Sequence, residues 1–338
     1  MNIIKKLEKE IRKEKFISRI VFPEGEDEKI LKSAILAQNR KITHPILLGD
    51  KTKIQDRAKR LKVSLEGIEI VNPAQSSKLE EYSKKYSKKQ DIPMEISRKI
   101  LLSPLYFGAM ATKTGEADGL IGGAVFTSGE VIAISQQVIG LEKGISVPSS
   151  FFLMNIPQFD GGEEGYLIFS DASVNINPCS KELADIAFAS AKSARDFFGW
   201  KPRVALLSFS TKGSASHALV DKVIKATQIA KKKKFPGFVD GEFQVDAALN
   251  REVAERKIEG KLGQVAGKAN VLVFPDLNAS NCGYKLVKII AQAHTYGPIL
   301  QGFAKPVSDL SRGAKIEDIF GVITLITSQI KKMKKDQK

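Results

Sequence analysis

The sequence predicts an α/β fold with mostly parallel sheets, and three observations point to it. Short, continuously apolar runs alternate with stretches whose apolar residues recur at helical spacing, which is typical of parallel strands covered by helices on both faces. Polar loops that contain glycine follow several of these runs. The chain has 338 residues, of which 43% are hydrophobic, so it is long enough for one large or two ordinary domains with apolar cores.

The first unit of this pattern lies near the N-terminus. Residues 19–22 (RIVF) predict a strand, and residues 27–39 predict a helix because their apolar positions share one face. Residues 45–48 (PILL) predict the next strand. Such a unit of about 30 residues has the length of a right-handed parallel crossover.

Further apolar runs predict strands of the same kind, at residues 119–121, 165–169, 203–207 and 270–274. In open α/β sheets, ligands bind beyond the carboxyl ends of the strands. We therefore expect the chemistry of this protein in the loops that follow these runs.

The formal net charge of +15 raises the question of a polyanionic partner. Residues 1–100 hold 24 Lys and Arg against 15 Asp and Glu, and residues 331–338 hold five Lys against one Asp. Only 11 of the 53 cationic residues are Arg, whereas base and phosphate recognition favours the planar Arg side chain. We interpret the excess as a solvated, lysine-rich surface, and the absence of interleaved aromatic residues argues against a nucleic-acid partner.

No apolar run approaches the ~20 residues that a membrane span needs, and the first residues (MNIIKKLEKEIRKEKF) lack the apolar stretch of a signal peptide. We expect a cytoplasmic protein without a membrane partner. Cys179 and Cys282 are far apart, so they predict neither a disulfide framework nor a zinc or iron–sulfur site.

The polar loop after the predicted strand 203–207 is the first candidate site. It precedes a predicted helix at 218–231, and a helix start with hydroxyl groups and a glycine can receive an anion such as phosphate. The candidate residues are Ser208, Ser210, Thr211, Gly213 and Ser214. The GxxxxGK[ST] pattern is absent, so an ATPase is not supported. The alternative is a polar helix cap without a ligand, and His217 is either a base or simply packed or solvated.

Three carboxylates, Asp240, Glu242 and Asp246, lie close together in sequence. Such a group can bind a metal or hold cations. No histidine accompanies them and the spacing is not that of an EF-hand, so we expect no obligatory metal.

Residues 276–285 follow the predicted strand 270–274 and form another candidate loop, which ends at the head of an apolar helix. Its candidate residues are Asn278, Asn281, Tyr284 and Lys285. Amide and hydroxyl groups with one lysine suit an oxygen-rich ligand, and a capped turn is the alternative.

The segment from residue 305 to 318 concentrates Ser308, Asp309, Ser311 and Arg312, and Asp318 follows seven residues after Ser311. Arginine is the preferred partner of a phosphate or a developing oxyanion, and a nearby carboxylate can act as a base. The alternative is a surface turn in which Asp318 belongs to the first turn of a helix.

Eight blocks of the sequence, in this order between residues 20 and 328, resemble the phosphate acetyl/butyryl transferase family: FPEGEDEKIL, GEADGLIGGA, VPSSFFLM, LLSFSTKGSASH, DGEFQVDAA, AGKANVLVFPDLNASNCGYK, GPILQGFAKPVSDLSRG and IEDIF. The resemblance implies an acyltransferase that moves an acetyl group reversibly between CoA and inorganic phosphate. It also implies direct attack with no covalent enzyme intermediate and no organic cofactor, CoA being a substrate.

The resemblance further implies roles for individual residues. Asp318 would take the proton of the CoA thiol, Arg312 would hold the phosphate and polarise the carbonyl, and Ser311 would donate a hydrogen bond to the oxyanion. The acyl phosphate pocket would be lined by the two candidate loops above together with Thr127, Ser128, Ser149 and Ser150.

The implied architecture is two α/β/α domains of the isocitrate/isopropylmalate dehydrogenase type with a cleft between them. The first domain would comprise residues 1–145 plus 302–338 and carry the catalytic residues, and the second would comprise residues 146–301. The family resemblance also implies a homodimer.

Two departures from the family pattern affect the expected anion binding. Where the family usually has an arginine tied to CoA or phosphate, this chain has Ala133, and the basic stretch 82–89 contains lysines but no arginine. Two alternatives to the acetyl reaction therefore stay open. One is a transferase that prefers a longer acyl group such as butyryl, and the other is a weakly catalytic module that senses acetyl-CoA.

Overall fold

The computed structural model describes residues 3–336, and its strands and helices alternate along the chain. The strands are β1 (Ser18–Phe22), β2 (Thr43–Leu48), β3 (Glu69–Val71), β4 (Gly119–Gly122), β5 (Ser149–Asn155), β6 (Tyr166–Ser170), β7 (Arg203–Leu207), β8 (Phe238–Phe243), β9 (Val271–Val273), β10 (His294–Gln301) and β11 (Val307–Asp309). The helices are α1 (Ile3–Lys13), α2 (Glu28–Asn39), α3 (Lys51–Leu61), α4 (Leu79–Gln90), α5 (Met94–Leu101), α6 (Pro104–Thr114), α7 (Ser128–Val138), α8 (Ser180–Phe198), α9 (Ala218–Lys232), α10 (Val245–Leu249), α11 (Arg251–Lys257), α12 (Leu277–Ile290) and α13 (Ile316–Asp336).

The chain divides into two units. The first comprises Met1–Glu142 and Phe303–Lys338, of which the structure describes residues 3–142 and 303–336, and the second comprises Lys143–Gly302. The predicted α/β architecture with mostly parallel strands is confirmed by the strand pairings. The assignment of catalytic and pocket-lining roles to the two domains stays a prediction.

In the first unit the strand order is β3-β2-β1-β4-β11, and each of the neighbouring pairs is parallel. Ile20, Val21 and Phe22 are completely buried at its centre, because helices cover both faces of a parallel sheet. Helix α2 begins where the Asp27 side chain accepts hydrogen bonds from the N–H groups of Lys29 and Ile30. The predicted unit of strand, helix and strand at residues 19–48 is confirmed, with bounds shifted by one or two residues.

In the second unit the strand order is β10-β5-β6-β9-β7-β8. Strands β6, β9, β7 and β8 form parallel pairs, whereas β5 runs antiparallel to both β10 and β6. Phe243, Leu272 and Phe169 belong to the buried apolar cluster of this unit. The predicted strands at 165–169, 203–207 and 270–274 correspond to β6, β7 and β9, but the antiparallel strands were not predicted.

One sequence prediction is wrong about secondary structure. Residues 276–285 do not form a loop that ends at a helix, because α12 already begins at Leu277. The Asp276 side chain accepts a hydrogen bond of 2.9 Å from the N–H of Ala279 and caps the helix. Asn278, Asn281, Tyr284 and Lys285 are therefore helical residues.

Candidate active site

Three adjacent parallel strands of the first unit end at the same edge of the sheet. Strand β1 leads to Glu24, β4 leads to the loop at 123–127, and β11 ends at Asp309, just before Ser311 and Arg312. The carboxyl ends of parallel strands share one edge, which is where open α/β sheets bind ligands. This edge therefore gathers the predicted residues Thr127, Ser128, Ser311 and Arg312.

The carboxylate of Glu24 fixes the loop that follows β4. It accepts hydrogen bonds from the backbone N–H groups of Gly123 (3.2 Å), Ala124 (3.0 Å), Val125 (2.7 Å) and Phe126 (2.7 Å). Glu24 is buried, and a buried carboxylate needs such partners to offset its lost hydration. The loop therefore holds one conformation around this side chain.

Helix α7 begins with a capping box directly after that loop. The Thr127 hydroxyl accepts from the N–H of Glu130 (3.2 Å), while the Glu130 carboxylate accepts from the N–H of Thr127 (2.7 Å). Hydrogen bonds from the backbone and hydroxyl of Thr127 lower the pKa of Glu130, and the positive charge of Arg312 lowers it further. Of the two predicted residues here, Thr127 is thus engaged in the cap. Ser128 is half-buried and turned toward β11.

Ser128 contacts the buried carboxyl group of Asp309, for which the sequence predicts no role. Its hydroxyl donates a hydrogen bond of 2.6 Å to Oδ2 of Asp309. Asp309 is 1% exposed, and burial raises its pKa to about 6, with a further contribution from the charge of Glu24. A second carboxyl group is thus held at this edge in an environment that disfavours its charge.

Ser311 and Arg312 lie in an exposed turn after β11. The turn is closed by a hydrogen bond of 2.8 Å from the N–H of Ala314 to the carbonyl of Ser311, and Lys29 Nζ donates to the carbonyl of Arg312 at 3.0 Å. Within residues 3–336, the Arg312 guanidinium forms no salt bridge or hydrogen bond. Its planar set of donors is therefore available to an anion in the way that phosphate recognition requires.

Asp318 lies in the first turn of α13 and is half-buried. Its Oδ2 accepts a hydrogen bond of 3.0 Å from the backbone N–H of Lys315. A carboxylate in the first turn also interacts favourably with the helix dipole. Asp318 is thus a first-turn helix residue, as the alternative interpretation predicts. The hydrogen bond from Lys315 uses only Oδ2, so Oδ1 is left for further contacts.

In the second unit, the loop after β7 surrounds an internal carboxylate. Glu242 Oε1 accepts from the N–H of Gly213 (2.6 Å) and from the hydroxyl of Ser210 (3.1 Å). Ser214 Oγ accepts from the N–H of Thr211 at 2.9 Å, and Ser208 Oγ accepts from the N–H of Ser210 at 3.2 Å. The predicted anion receptor is thus a built loop, but part of its donor set already binds Glu242.

The two remaining nitrogen-bearing side chains of this loop, those of His217 and Lys212, have structural partners. His217 Nδ1 accepts from the N–H of Leu219 and caps α9. Lys212 Nζ donates to Oδ1 of Asp240 (2.8 Å) and to the carbonyl of Gly241 (2.6 Å). Burial alone would raise the pKa of Asp240, but Lys212 and Lys231 outweigh burial and hold that pKa below its usual value. The Asp240 carboxylate therefore forms salt bridges with Lys212 and Lys231.

Ser149 and Ser150 lie on β5 and are buried. Ser150 donates to Oδ1 of Asp171 at 2.6 Å, and Ser149 Oγ accepts from Nε2 of Gln301 at 2.9 Å. Both hydroxyl groups therefore belong to buried hydrogen-bond networks within the second unit.

The candidates on α12 differ in exposure. Asn278 and Lys285 are exposed, Asn281 is half-buried, and the ring of Tyr284 stacks on Phe152 with centroids 4.4 Å apart. Burial raises the pKa of the Tyr284 hydroxyl. Tyr284 therefore packs against the sheet while its neighbours project from the helix.

From the sequence, Glu24 and Asp171 were assigned no role, Asp309 was named without a role of its own, and Glu242 was read only as a member of a carboxylate cluster. Asp171 directly follows β6, Asp309 is the last residue of β11, Glu242 lies one residue before the end of β8, and Glu24 lies two residues after β1. An acidic residue at or near the carboxyl end of a strand is the signal that would have found their roles. Among the residues that the structure describes, no group of three or more His, Cys, Asp or Glu side chains could hold a metal ion, and no helix is long and apolar enough to cross a membrane.

The fold and these loops define an α/β protein in which the carboxyl edge of the parallel strands carries an exposed arginine, unpaired within residues 3–336, beside a serine and a carboxylate. Residues 2–327 match the family described as Phosphate acetyl/butaryl transferase, and the chain belongs to that family. The family resemblance drawn from the eight sequence blocks is thus confirmed.

Individual relatives agree with this assignment. The chain is 45% identical over 314 residues to a phosphate acetyltransferase of Clostridium acetobutylicum, which covers 92% of this chain and 94% of the relative. A solved phosphotransacetylase from Streptococcus pyogenes superposes with a TM-score of 0.88 at 36% identity, over 97% of this chain and 98% of the other. The EutD phosphotransacetylase from Staphylococcus aureus gives a TM-score of 0.87 at 38% identity, over 97% and 99%.

Proposed function

We propose that this protein is a phosphate acetyltransferase, an enzyme that transfers an acetyl group reversibly between CoA and inorganic phosphate. The observation that carries the proposal is the turn at 311–314, where the Arg312 guanidinium is exposed and unpaired within the described chain and Asp318 follows in the first turn of α13. Relatives of that name share 41–45% of their residues with this chain, which supports the same reaction.

In the proposed reaction Asp318 accepts the proton of the CoA thiol. An ordinary thiol has a pKa near 8.5, so a positioned base raises the thiolate fraction at neutral pH. The thiolate sulfur forms a bond to the acetyl carbon of acetyl phosphate, and the tetrahedral intermediate collapses by breaking the bond between that carbon and the phosphate oxygen. Phosphate leaves, and the proton on Asp318 passes to phosphate or to solvent. The reverse reaction follows the same steps backward.

Ser311 and Arg312 stabilise charge in this proposal. The Ser311 hydroxyl donates to the oxyanion that forms on the acetyl oxygen, and the Arg312 guanidinium binds the phosphate oxygens. Preorganised donors of this kind each lower a barrier by about 3–4 kcal/mol. CoA and phosphate enter this reaction as substrates, and the steps proposed here use neither a metal nor an organic cofactor.

We further propose that the exposed residues Ser214, Asn278 and Lys285 of the second unit contact substrate. Their side chains are exposed to solvent. Ser149, Ser150 and Ser210 are buried instead, and their hydroxyl groups form hydrogen bonds within the protein. A cytoplasmic location fits a reaction that uses CoA.

A homodimer is also part of the proposal. Helix α12 exposes Leu286, Ile289 and Ile290 by 57%, 74% and 77%, an apolar surface of the kind that a protein partner covers. Light scattering of the purified protein measures its mass directly, and the mass of a single chain across a range of concentrations would contradict the dimer.

The experiment that tests the function supplies the purified protein with CoA and acetyl phosphate and follows thioester formation by ultraviolet absorbance. A parallel reaction contains butyryl phosphate. Faster turnover of the butyryl substrate would replace the acetyl specificity with the longer-chain alternative. No thioester from either substrate, while calorimetry still detects acetyl-CoA binding, would favour a sensor module and overturn the proposal.

A further inference from the structure

Two buried carboxyl groups, Glu24 and Asp309, lie under the loop that connects β4 to α7, and they differ in how they are satisfied. Glu24 accepts four backbone hydrogen bonds. Asp309 accepts one from Ser128 through Oδ2. The backbone N–H of Leu310 lies near enough to lower the pKa of Asp309, but within the described residues the buried Oδ1 has no hydrogen bond of ordinary geometry. Asp309 is therefore a buried carboxyl group that is only half satisfied.

The Oδ1 side of Asp309 is closely packed against the backbone of Gly123. Gly123 has a φ of +103°, and a Cβ atom at this position would lie 2.0 Å from Oδ1 of Asp309 and 2.7 Å from the backbone N of Leu310. Only glycine fits here without displacing the carboxyl group. A half-satisfied, tightly enclosed carboxyl group costs stability, so its contribution has to be sought in function.

The position of Asp309 joins two parts of the proposed site. It is the last residue of β11, directly ahead of the turn that holds Ser311 and Arg312, and its partner Ser128 is the first residue of α7. The Ser128 hydroxyl thus connects the start of α7 to the segment that presents the arginine. Arg312 and Glu130 of α7 also interact electrostatically, which indicates that both segments lie close together.

We propose that Asp309 is a positioning residue for acyl transfer, which orients the Ser311–Arg312 turn by binding the Ser128 hydroxyl at the start of α7. The inference rests on the transferase function proposed above. Asp309 acts through Ser128 and through the backbone of its own segment, and it does not touch the reacting atoms. The charged groups that face it are Glu24 after β1 and Arg312 after β11, and α7 contributes the hydroxyl of Ser128.

The test compares Asp309→Ala, Asp309→Asn, Ser128→Ala and the double variant Asp309→Ala with Ser128→Ala. Loss of orientation of a binding group costs on the order of 10- to 100-fold in rate. We expect Asp309→Ala and Ser128→Ala each to lower kcat by about that factor, with smaller changes in KM. The double variant loses no more than the worse single variant, because both substitutions break the same hydrogen bond. Asp309→Asn, whose amide oxygen still accepts, and Ser128→Thr, whose hydroxyl still donates, each recover most of the lost rate.

Rescue by a neutral acceptor separates positioning from a purely structural effect. A protonated Asp309 and the amide of Asp309→Asn both keep an oxygen that accepts from Ser128, so the ratio of wild-type kcat to Asp309→Asn kcat should stay constant between about pH 5 and pH 7.5, on either side of the Asp309 pKa of about 6. Asp185→Asn is the matched control, because Asp185 is also buried and accepts a serine hydroxyl bond, from Ser146 at 2.5 Å, but is paired with Lys233. It lowers Tm and leaves kcat within about twofold of wild type.

The outcomes distinguish the two proposals. Wild-type protein that forms no thioester overturns the transferase function and this inference together. Active wild type with an Asp309→Ala variant of equal kcat, or single effects that multiply in the double variant, overturns the inference alone. If Asp309→Ala does not fold, Ser128→Ala and Ser128→Thr decide, since Ser128 is half-buried on a helix start: equal kcat in wild type and Ser128→Ala then overturns the inference.

Discussion

Oδ2 of Asp318 accepts a hydrogen bond of 3.0 Å from the backbone N–H of Lys315, so the proposed base also closes the start of α13. The Asp318 carboxylate thus has two roles, as a helix cap and as the proposed base, and these roles require different chemical properties. The cap needs an acceptor oxygen, whereas a base needs a group that takes up a proton. An amide in the same place keeps the first property and loses the second.

We therefore predict that Asp318→Asn lowers kcat by roughly 10²- to 10⁴-fold, the usual worth of a general base. The same substitution should change the free energy of unfolding by less than about 1 kcal/mol, because the amide oxygen still caps the helix. Steady-state kinetics and urea unfolding on the same preparations measure the two effects. Asp50→Asn is the control, since Asp50 caps α3 by accepting from Lys53 at 3.0 Å and lies outside the proposed machinery. Equal kcat in wild type and Asp318→Asn would remove Asp318 from the role of base.

Glu24 offers a second prediction, because its carboxylate accepts from four backbone N–H groups. In Glu24→Gln one acceptor oxygen becomes an NH₂ group that faces N–H donors. We expect a loss of about 1–3 kcal/mol in the free energy of unfolding, the cost of leaving buried donors unpaired. Because the loop leads into the start of α7, kcat should fall as well. Urea unfolding with circular dichroism checks the stability, and an unchanged midpoint would show that the loop does not depend on this carboxylate.

Asp309 predicts an unusual dependence of stability on pH. Its pKa is raised from 3.8 to about 6 by burial, so between about pH 4 and pH 6 the folded protein binds more protons than the unfolded chain. The stability contribution of the protonated group is therefore complete below its unfolded pKa and is lost as the pH rises through the folded pKa. The shift of about two pKa units corresponds to about 3 kcal/mol.

Comparison of wild type with Asp309→Asn isolates this contribution, because the other titrating groups are shared. We expect the stability of the variant relative to wild type to increase by up to about 3 kcal/mol between pH 4 and pH 7.5. Urea unfolding at several pH values in this interval gives the difference directly. A difference that stays constant with pH would show that Asp309 titrates at an ordinary value.

Asp240 should show the opposite sign. The ammonium groups of Lys212 and Lys231 outweigh burial and lower its pKa, so its stabilising contribution is present above its unfolded pKa and is lost as the pH falls through the lower folded value. We expect Asp240→Asn to reduce the free energy of unfolding at pH 7 by about 1–3 kcal/mol, as for a charge-assisted hydrogen bond. The deficit should shrink below about pH 4. Urea unfolding at pH 7 and pH 3.5 provides the measurement, and a deficit of equal size at both values would contradict the ion pair.

The sequence was sufficient for the parallel part of the fold and insufficient for its exceptions. Strand β1 and helix α2 followed from periodicity, because a buried parallel strand and an amphipathic helix leave clear apolar patterns. Strand β5 is as apolar as a parallel strand, and direction is a property of its partners β10 and β6 rather than of its residues. The sequence predicts a loop where α12 begins, because the first turns of this helix are rich in Asn, Ser and Gly, residues that usually indicate loops, although Asp276 caps the helix.

The candidate site likewise has residues that the sequence predicts and residues whose roles depend on the fold. Ser311, Arg312 and Asp318 were found because their chemistry is compressed into one short segment. The roles of Glu24 and Asp309 were not predicted, because they depend on β1 and β11 both lying beside β4, which brings together residues that are far apart in sequence. Nothing in the residues beside Asp309 in sequence indicates that Ser128 is its partner or that Gly123 encloses it.

Ala133 gives the last prediction, because the sequence resemblance implies that an arginine that binds CoA or phosphate is usual at this position. It is an exposed residue of α7, so an arginine side chain fits there without repacking, and Arg has nearly the helix propensity of Ala. A charge-assisted hydrogen bond contributes about 1.5–3 kcal/mol, which is a factor of about 10–100 in affinity. We therefore expect Ala133→Arg to lower KM for CoA or for the phosphate substrate by up to that factor. Ala133→Lys supplies the charge without the planar donors and should give a smaller effect, while Ala133→Gln controls for side-chain length. Separate KM measurements for the two substrates identify which anion is bound, and unchanged values for both would show that position 133 takes no part in substrate binding in this chain.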